Sequence, residues 1–318
     1  MKSHILCFLL ILAGAVIPAS KSSQETVGIE HKTSISGGVI VHRDLEYNPG
    51  GHERHRLDLY LPRDSDRKKP LIIWIHGGAW RAGDKGSVRW KEITGRGFAV
   101  ASINYRLSQH ARFPAQLHDC KMAVRWLKIN ADHYGIDNEK FGVWGASAGG
   151  HLAALVGTTG NSKDPELHFP TPVAPSPINQ LPPDLGLSRV QAVCDWFGPT
   201  DFLQMNLQAA PIGVMDHEAP GSPESQLIGT VITGNRELVQ RANPMTYIDS
   251  QDPPFRIFHG SADRLVPCGQ SILLHQSLLN AGVDSHLTIV PDAGHGYFSD
   301  PAVTKASLDF FEAILGNP

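Results

Sequence analysis

Ser147, Asp263 and His295 are the side chains of this 318-residue chain whose types and order could perform nucleophilic chemistry together. A serine hydroxyl is a poor nucleophile at neutral pH until a neutral imidazole takes its proton. The imidazole in turn needs a carboxylate to hold its tautomer and to stabilise its charged form. Ser147 lies in Gly145-Ala-Ser-Ala-Gly149, a G-x-S-x-G pentapeptide. That string is a common accident, so its surroundings decide what it means. The apolar run from Phe141 to Trp144 reads as a short buried strand, and Leu152, Ala153 and Leu155 open a helical pattern. Strand, sharp turn and helix make the context of a nucleophile elbow. Glycines suit positions 145 and 149, because side chains flanking a strained serine would clash. The helix start also aims free N–H groups at an anion forming beside Ser147.

Acyl transfer creates an oxyanion that needs preorganised N–H donors. The backbone of Ala148 and of Gly77 or Gly78 is expected to provide them, each donor being worth about 3–4 kcal/mol of barrier. Gly77 and Gly78 belong to His76-Gly-Gly-Ala-Trp80, which follows the apolar run Leu71 to Ile75. Asp263 ends His259-Gly-Ser-Ala-Asp263, and His295 lies between Gly294 and Gly296. The order Ser…Asp…His is that of elbow hydrolases. Asp201 is a rival acid, but it follows an earlier strand, whereas Asp263 follows the penultimate one. The plainer alternatives are a surface-turn role for His295 and a turn-capping role for Asp263. His76 is expected to orient the oxyanion loop, and His151 and His259 to pack. Trp80, Trp196 and Phe197 are candidate walls of a substrate pocket, with core packing as the alternative. His52 and His55 read as solvated strand residues, since no third ligand adjoins them. No cluster has metal-ligand spacing and no glycine loop suits a phosphate, so neither metal nor cofactor is expected.

These residues need a sheet to bring them together. Glu53 to Pro62 alternates polar and apolar, as in a half-exposed antiparallel edge strand. Leu71–Ile75, Phe98–Asn104, Phe141–Trp144, Val190–Cys194, Phe255–Phe258 and Ser285–Val290 read as buried strands. Between them run helical patterns, one with Leu117, Cys120, Val124 and Leu127 on a single face. The closing helix, capped by Asp300-Pro301, is expected to bury Val303, Ala306, Phe310 and Ile314. Strands alternating with helices predict an α/β protein with a mostly parallel sheet covered on both faces and functional residues beyond the carboxyl ends of its strands. Seven prolines between 158 and 189 forbid regular structure there and suggest a lid, binding loop or disordered insert.

The composition, 41% hydrophobic and 19% charged with a net charge of −3, is that of a globular chain without a nucleic-acid or polybasic membrane footprint. A basic start, an apolar run from Ile5 to Ile17 and small residues around Ala19 and Ser20 read as a cleaved signal peptide over 1–20. A secreted or periplasmic location with no membrane attachment after cleavage follows. Residues 21–36 are expected to be a flexible lead-in and 37–318 one catalytic domain. Of the four cysteines, Cys120, Cys194 and Cys268 remain after cleavage, too few for a disulfide framework.

His76-Gly-Gly-Ala-Trp80 with Gly83-Asp84-Lys85, the elbow through Ala154, Asp195-Trp-Phe-Gly-Pro-Thr-Asp201, Ser222-Pro-Glu-Ser225, His259–Asp263 and Gly294-His-Gly296 together resemble the α/β-hydrolases of the carboxylesterase and lipase type. The greatest similarity is to the bifunctional acetylxylan esterase/feruloyl esterase-like group, over about residues 38–316. The resemblance implies an eight-stranded sheet with a first antiparallel strand. It also implies Ser147, Asp263 and His295 as the catalytic set, and secreted cleavage of short acyl or hydroxycinnamoyl esters, on polysaccharides among other carriers. Ala79 replaces the third glycine of the common loop. An arylformamidase or a peptidase could use the same groups, and an inactive binding relative could keep the fold.

Overall fold

Strand-and-helix alternation from the sequence becomes a single nine-stranded sheet in the computed structural model, which describes residues 32–63, 67–162, 164, 167, 186–209, 213–296 and 298–316. The strands are β1 (Lys32–Ser36), β2 (Val39–Glu46), β3 (Arg56–Pro62), β4 (Lys69–Ile75), β5 (Ala99–Ile103), β6 (Ile136–Ala146), β7 (Ala192–Trp196), β8 (Phe255–Gly260) and β9 (Ser285–Val290). Their spatial order is β1-β2-β3-β5-β4-β6-β7-β8-β9. β1, β2, β3 and β5 pair antiparallel in turn, and every pair from β5 across to β9 is parallel. This is the α/β-hydrolase arrangement. The expected signal peptide, residues 21–31 of the lead-in and most of the 158–189 segment lie outside the described residues.

The helices are α1 (Trp90–Thr94), α2 (Ala115–Ile129), α3 (Ala148–Thr158), α4 (Met205–Ala209), α5 (Pro223–Ile228), α6 (Arg236–Arg241), α7 (Gly269–Asn280) and α8 (Pro301–Leu315). β4 is buried along its whole length because helices cover both faces. One core layer joins the sheet to α2, α3 and α7 through residues such as Leu117, Leu127, Leu152 and Leu274. The other joins it to α1 and α8 through Ile93, Trp144, Trp196 and Phe311. No helix among the described residues is long and apolar enough to cross a membrane.

Four expectations need correction. The sheet has nine strands, not eight, because residues 32–36 of the supposed lead-in pair with Val39–Arg43. All five are exposed, so hydrogen bonding alone marks that strand. β3 is an inner strand rather than a half-exposed edge: Leu57 to Leu61 are all buried. Its polar Asp58 tolerates burial because Arg43 and Lys85 each lie 2.8 Å from its carboxylate. His55 is likewise buried, not solvated, with Nε2 3.1 Å from Asp119 Oδ1. The buried face of α8 is rotated by about one residue. Thr304, Ser307, Leu308, Phe311 and Leu315 are buried with Val303, while Ile314 is exposed. The Ser307 hydroxyl occupies the centre of that face, accepting the Trp196 indole N–H at 3.1 Å and donating to the Val303 carbonyl at 2.9 Å.

Candidate functional site

The end of β6 turns sharply into α3, and Ser147 occupies the turn with φ 57° and ψ −124°. Such a conformation costs a non-glycine residue about 1–3 kcal/mol and persists only where the surroundings enforce it. The enforcement is close backbone packing. A Cβ at position 145 would collide with the Gly149 carbonyl, and one at 149 with the Ile75 carbonyl at the end of β4. The Ser147 N–H donates to the Trp196 carbonyl at 2.8 Å, tying the turn to β7.

Three strand ends bring the three candidate side chains into one line. His295, after β9, has Nε2 2.9 Å from Ser147 Oγ and Nδ1 2.7 Å from Asp263 Oδ2, after β8. A carboxylate can only accept, so Nδ1 carries the proton and Nε2 is left to accept the serine hydroxyl. Asp263 Oδ1 accepts the N–H groups of Leu265 and Val266, each at 2.9 Å. Asp263 therefore caps its turn as well as meeting His295. Burial opposes its charge, but the His259 and His295 hydrogen bonds outweigh it and hold the carboxyl well below the usual carboxylate range. The rival Asp201 accepts the Leu203 N–H at 3.1 Å and starts a single helical turn.

Facing Ser147 is the loop after β4. A Cβ on Gly77 would lie 3.2 Å from that of Ser147 and would strike the Ala146 carbonyl, so the loop rests directly on the elbow. Ala148 is the first residue of α3, where a backbone N–H has no partner within the helix. Gly78, Ala79 and Trp80 all have positive φ. Ala79, at 54°, adopts the left-handed backbone that the missing glycine would have taken without strain.

The loop is held by His76, which the sequence singles out for that place, and by Arg54 and Tyr105, which it does not. His76 stacks on Tyr105 with centroids 4.4 Å apart, donates from Nδ1 to the Gly77 carbonyl at 2.7 Å, and accepts from the Arg54 guanidinium at 3.2 Å. Burial, with a smaller push from Arg54, lowers the His76 pKa to about 4, so the ring is neutral near pH 7. Arg54 also donates to the carbonyls of Tyr105 and Gly83, at 2.7 and 2.9 Å. The Tyr105 hydroxyl donates to the His76 carbonyl at 2.9 Å. In the sequence Arg54 is only a polar position in an alternating strand. Its signal is tertiary: the guanidinium meets a loop that follows the next strand.

The three aromatic candidates separate. The Phe197 ring lies 4.9 Å from the His295 ring, beside the line of three. Trp80 is buried edge-on against His151, at 5.2 Å, and beside Phe202. Trp196 is a correction. The alternation of β7 directs it with Ala192 and Cys194 into the layer beneath α8, where it packs on Trp144 and Phe298. His151 donates from Nε2 to the Ala242 carbonyl at 2.6 Å, a packing role. His259 does more than pack: its Nε2 lies 3.3 Å from Asp263 Oδ2. His52 also gains neighbours that its spacing hid, since its ring, Glu53 and His110 offer ligand atoms within 4.8 Å of one another. Both rings accept a backbone N–H at Nδ1, from Arg54 and Leu107, which in a neutral ring leaves the proton on Nε2.

Known proteins with this fold include esterases. A solved structure described as a truncated form of carbohydrate esterase from gut microbiota is 33% identical, with a TM-score of 0.75, over 90% of this chain and 98% of that one. An acetyl ester-xyloside bifunctional hydrolase from Caldicellulosiruptor lactoaceticus is 25% identical, with a TM-score of 0.64, over 83% of this chain and 89% of that one. Esterase LipQ of Mycobacterium tuberculosis is 30% identical over 278 residues, which are 85% of this chain and 60% of LipQ. The chain spans between 55% and 60% of the length of the three mycobacterial esterase relatives it matches. Residues 57–278, a stretch that contains Ser147, Asp263 and the loop after β4, match the BD-FAE family model, and the chain belongs to the BD-FAE family.

Proposed function

We propose that the chain is a serine carboxylesterase acting through an acyl-enzyme. The observation that carries this reading is the unbroken relay from Ser147 Oγ through His295 to Asp263, at 2.9 and 2.7 Å. In this mechanism Ser147 Oγ attacks the ester carbonyl carbon as its proton passes to His295 Nε2. Asp263 stabilises the imidazolium that forms. The carbonyl oxygen takes the negative charge and is held by the N–H groups of Ala148 and of Gly77 or Gly78. Collapse expels the alcohol, which takes the proton from His295. Water, deprotonated by the same imidazole, then releases the acid and restores Ser147. Trp80 and Phe197 serve as walls of the acyl pocket.

The preferred substrates are short acyl or hydroxycinnamoyl esters carried on polysaccharide. The carbohydrate esterase and the acetyl ester-xyloside hydrolase among the similar structures support that class. The apolar run from Ile5 to Ile17 supports secretion, with cleavage near Ala19 or Ser20. N-terminal sequencing of exported protein tests the cleavage.

The decisive experiment is turnover of p-nitrophenyl acetate by Ser147→Ala. The variant should keep its fold and lose activity; wild-type turnover would exclude Ser147 as the nucleophile. Acetyl, butyryl, octanoyl and feruloyl esters, compared free and on xylo-oligosaccharides, test the substrate class. A clear preference for octanoyl esters would overturn it.

A further inference from the structure

Asp263 Oδ2 receives His295, yet a second imidazole approaches the same atom. His259 lies near the end of β8 and is fully buried. Its Nε2 is 2.8 Å from the Val266 carbonyl and 3.3 Å from Asp263 Oδ2. A carbonyl can only accept, so Nε2 must carry the proton. Nδ1 of the neutral ring is then an acceptor, and the Ser271 hydroxyl, 2.7 Å away in α7, is positioned to donate to it. Among the described residues, the groups acting on the Asp263 carboxylate are His259, His295 and the N–H groups of Leu265 and Val266. Phe197, which touches both imidazoles, brings no charge.

We propose that His259 is a positioning residue for ester hydrolysis: it shares its Nε2–H with Asp263 Oδ2, in a tautomer fixed by the Val266 carbonyl, and so limits how tightly the acid holds the proton of His295. This inference rests on the proposed roles of Ser147, Asp263 and His295. The shared N–H occupies one lone-pair direction of Oδ2 and leaves His295 the other. It also draws charge from that oxygen. Without it, Asp263 attracts the His295 imidazolium more strongly, and His295 gives up its proton less readily. The pH at which the free enzyme becomes competent therefore rises.

The test compares kcat/KM against pH on p-nitrophenyl acetate for wild type, His259→Leu, His259→Gln and His259→Phe, with sites counted by a fluorophosphonate probe. His259→Leu should move the acid limb upward by about 0.5–1 pH unit. His259→Gln, which keeps an N–H near the position of Nε2, should bring it back. A limb that stays at the wild-type position in His259→Leu overturns the proposal, as does a shift that Gln fails to reverse. Where His259→Leu does not fold, His259→Phe, a ring without an N–H, decides: an upward shift supports the proposal and an unmoved limb overturns it. Absence of probe on wild-type Ser147 would instead refute the proposed function.

Discussion

Asp195 and Asp263 are buried carboxyls at the ends of neighbouring strands, and their charge behaves in opposite ways. Asp195, in β7, has one donor among the described residues: its Oδ1 accepts the Gly198 N–H at 2.9 Å, and its buried Oδ2 has no partner among them. Burial pushes its pKa up to about 7. Asp263, after β8, has two backbone and two imidazole donors and is held well below the usual range. Burial alone thus does not decide whether a carboxyl is ionised; the donors built around it do. Of the two, Asp263 stays charged well below neutrality, and it is the one aligned with an imidazole.

The comparison is broken or sharpened by substitution. The largest effect is expected from Asp263→Asn, which removes the charge and allows the wrong His295 tautomer: kcat should fall by about 10⁴-fold with the fold retained. A loss below about tenfold would show that the charge of Asp263 is not used. Asp195→Asn should act on stability instead. Because the folded-state pKa of Asp195 is raised, its contribution is fully present below the unfolded pKa and is lost as pH rises through about 7. The Asn variant escapes that loss. It should gain up to roughly 4 kcal/mol over wild type at about pH 8 and converge with it near about pH 4. Thermal melts across that range check this, and parallel curves would refute it. Asp263 has the reverse sign: its contribution is present above the unfolded pKa and disappears as pH falls through the depressed folded value.

Around the loop of Gly77 and Gly78 the positioning groups are neutral rings and backbone carbonyls gathered around one guanidinium. Arg54→Met should loosen the loop carrying Gly77 and Gly78 and lower kcat by about 10–100-fold, with KM changed less than about twofold. A rise in KM alone would assign Arg54 to substrate binding. The smallest effect belongs to Ala79→Gly. Relief of the left-handed strain is offset by the greater freedom of glycine in the unfolded chain, so stability should change by less than about 0.5 kcal/mol. A denaturant titration reads that difference.

Much of the site was legible because chemistry and backbone geometry leave local signatures. Gly145 and Gly149 mark the elbow, and the apolar runs before the loops of His76, Ser147 and Asp263 mark strands whose ends converge. What escaped notice has no local signature. β1 buries none of its residues, so hydrophobic patterning cannot detect it. Asp58 and His55 look solvated until Lys85 and Asp119, distant in sequence, neutralise their burial. Trp196 and Phe197 look alike in sequence. The strand alternation sends Trp196 beneath α8, while a backbone turn at φ 46° sets Phe197 beside His295.

The contact between Gly149 and the carbonyl of Ile75 leaves no space for even a methyl group. The helix that follows Ser147 is thereby seated on the strand that leads into the Gly77–Gly78 loop, so the proposed attacking oxygen and the N–H groups proposed to hold the oxyanion share one packed floor. Under the proposed function, a change of ester preference cannot reshape that floor without displacing Ser147, and must come from the walls and roof above it.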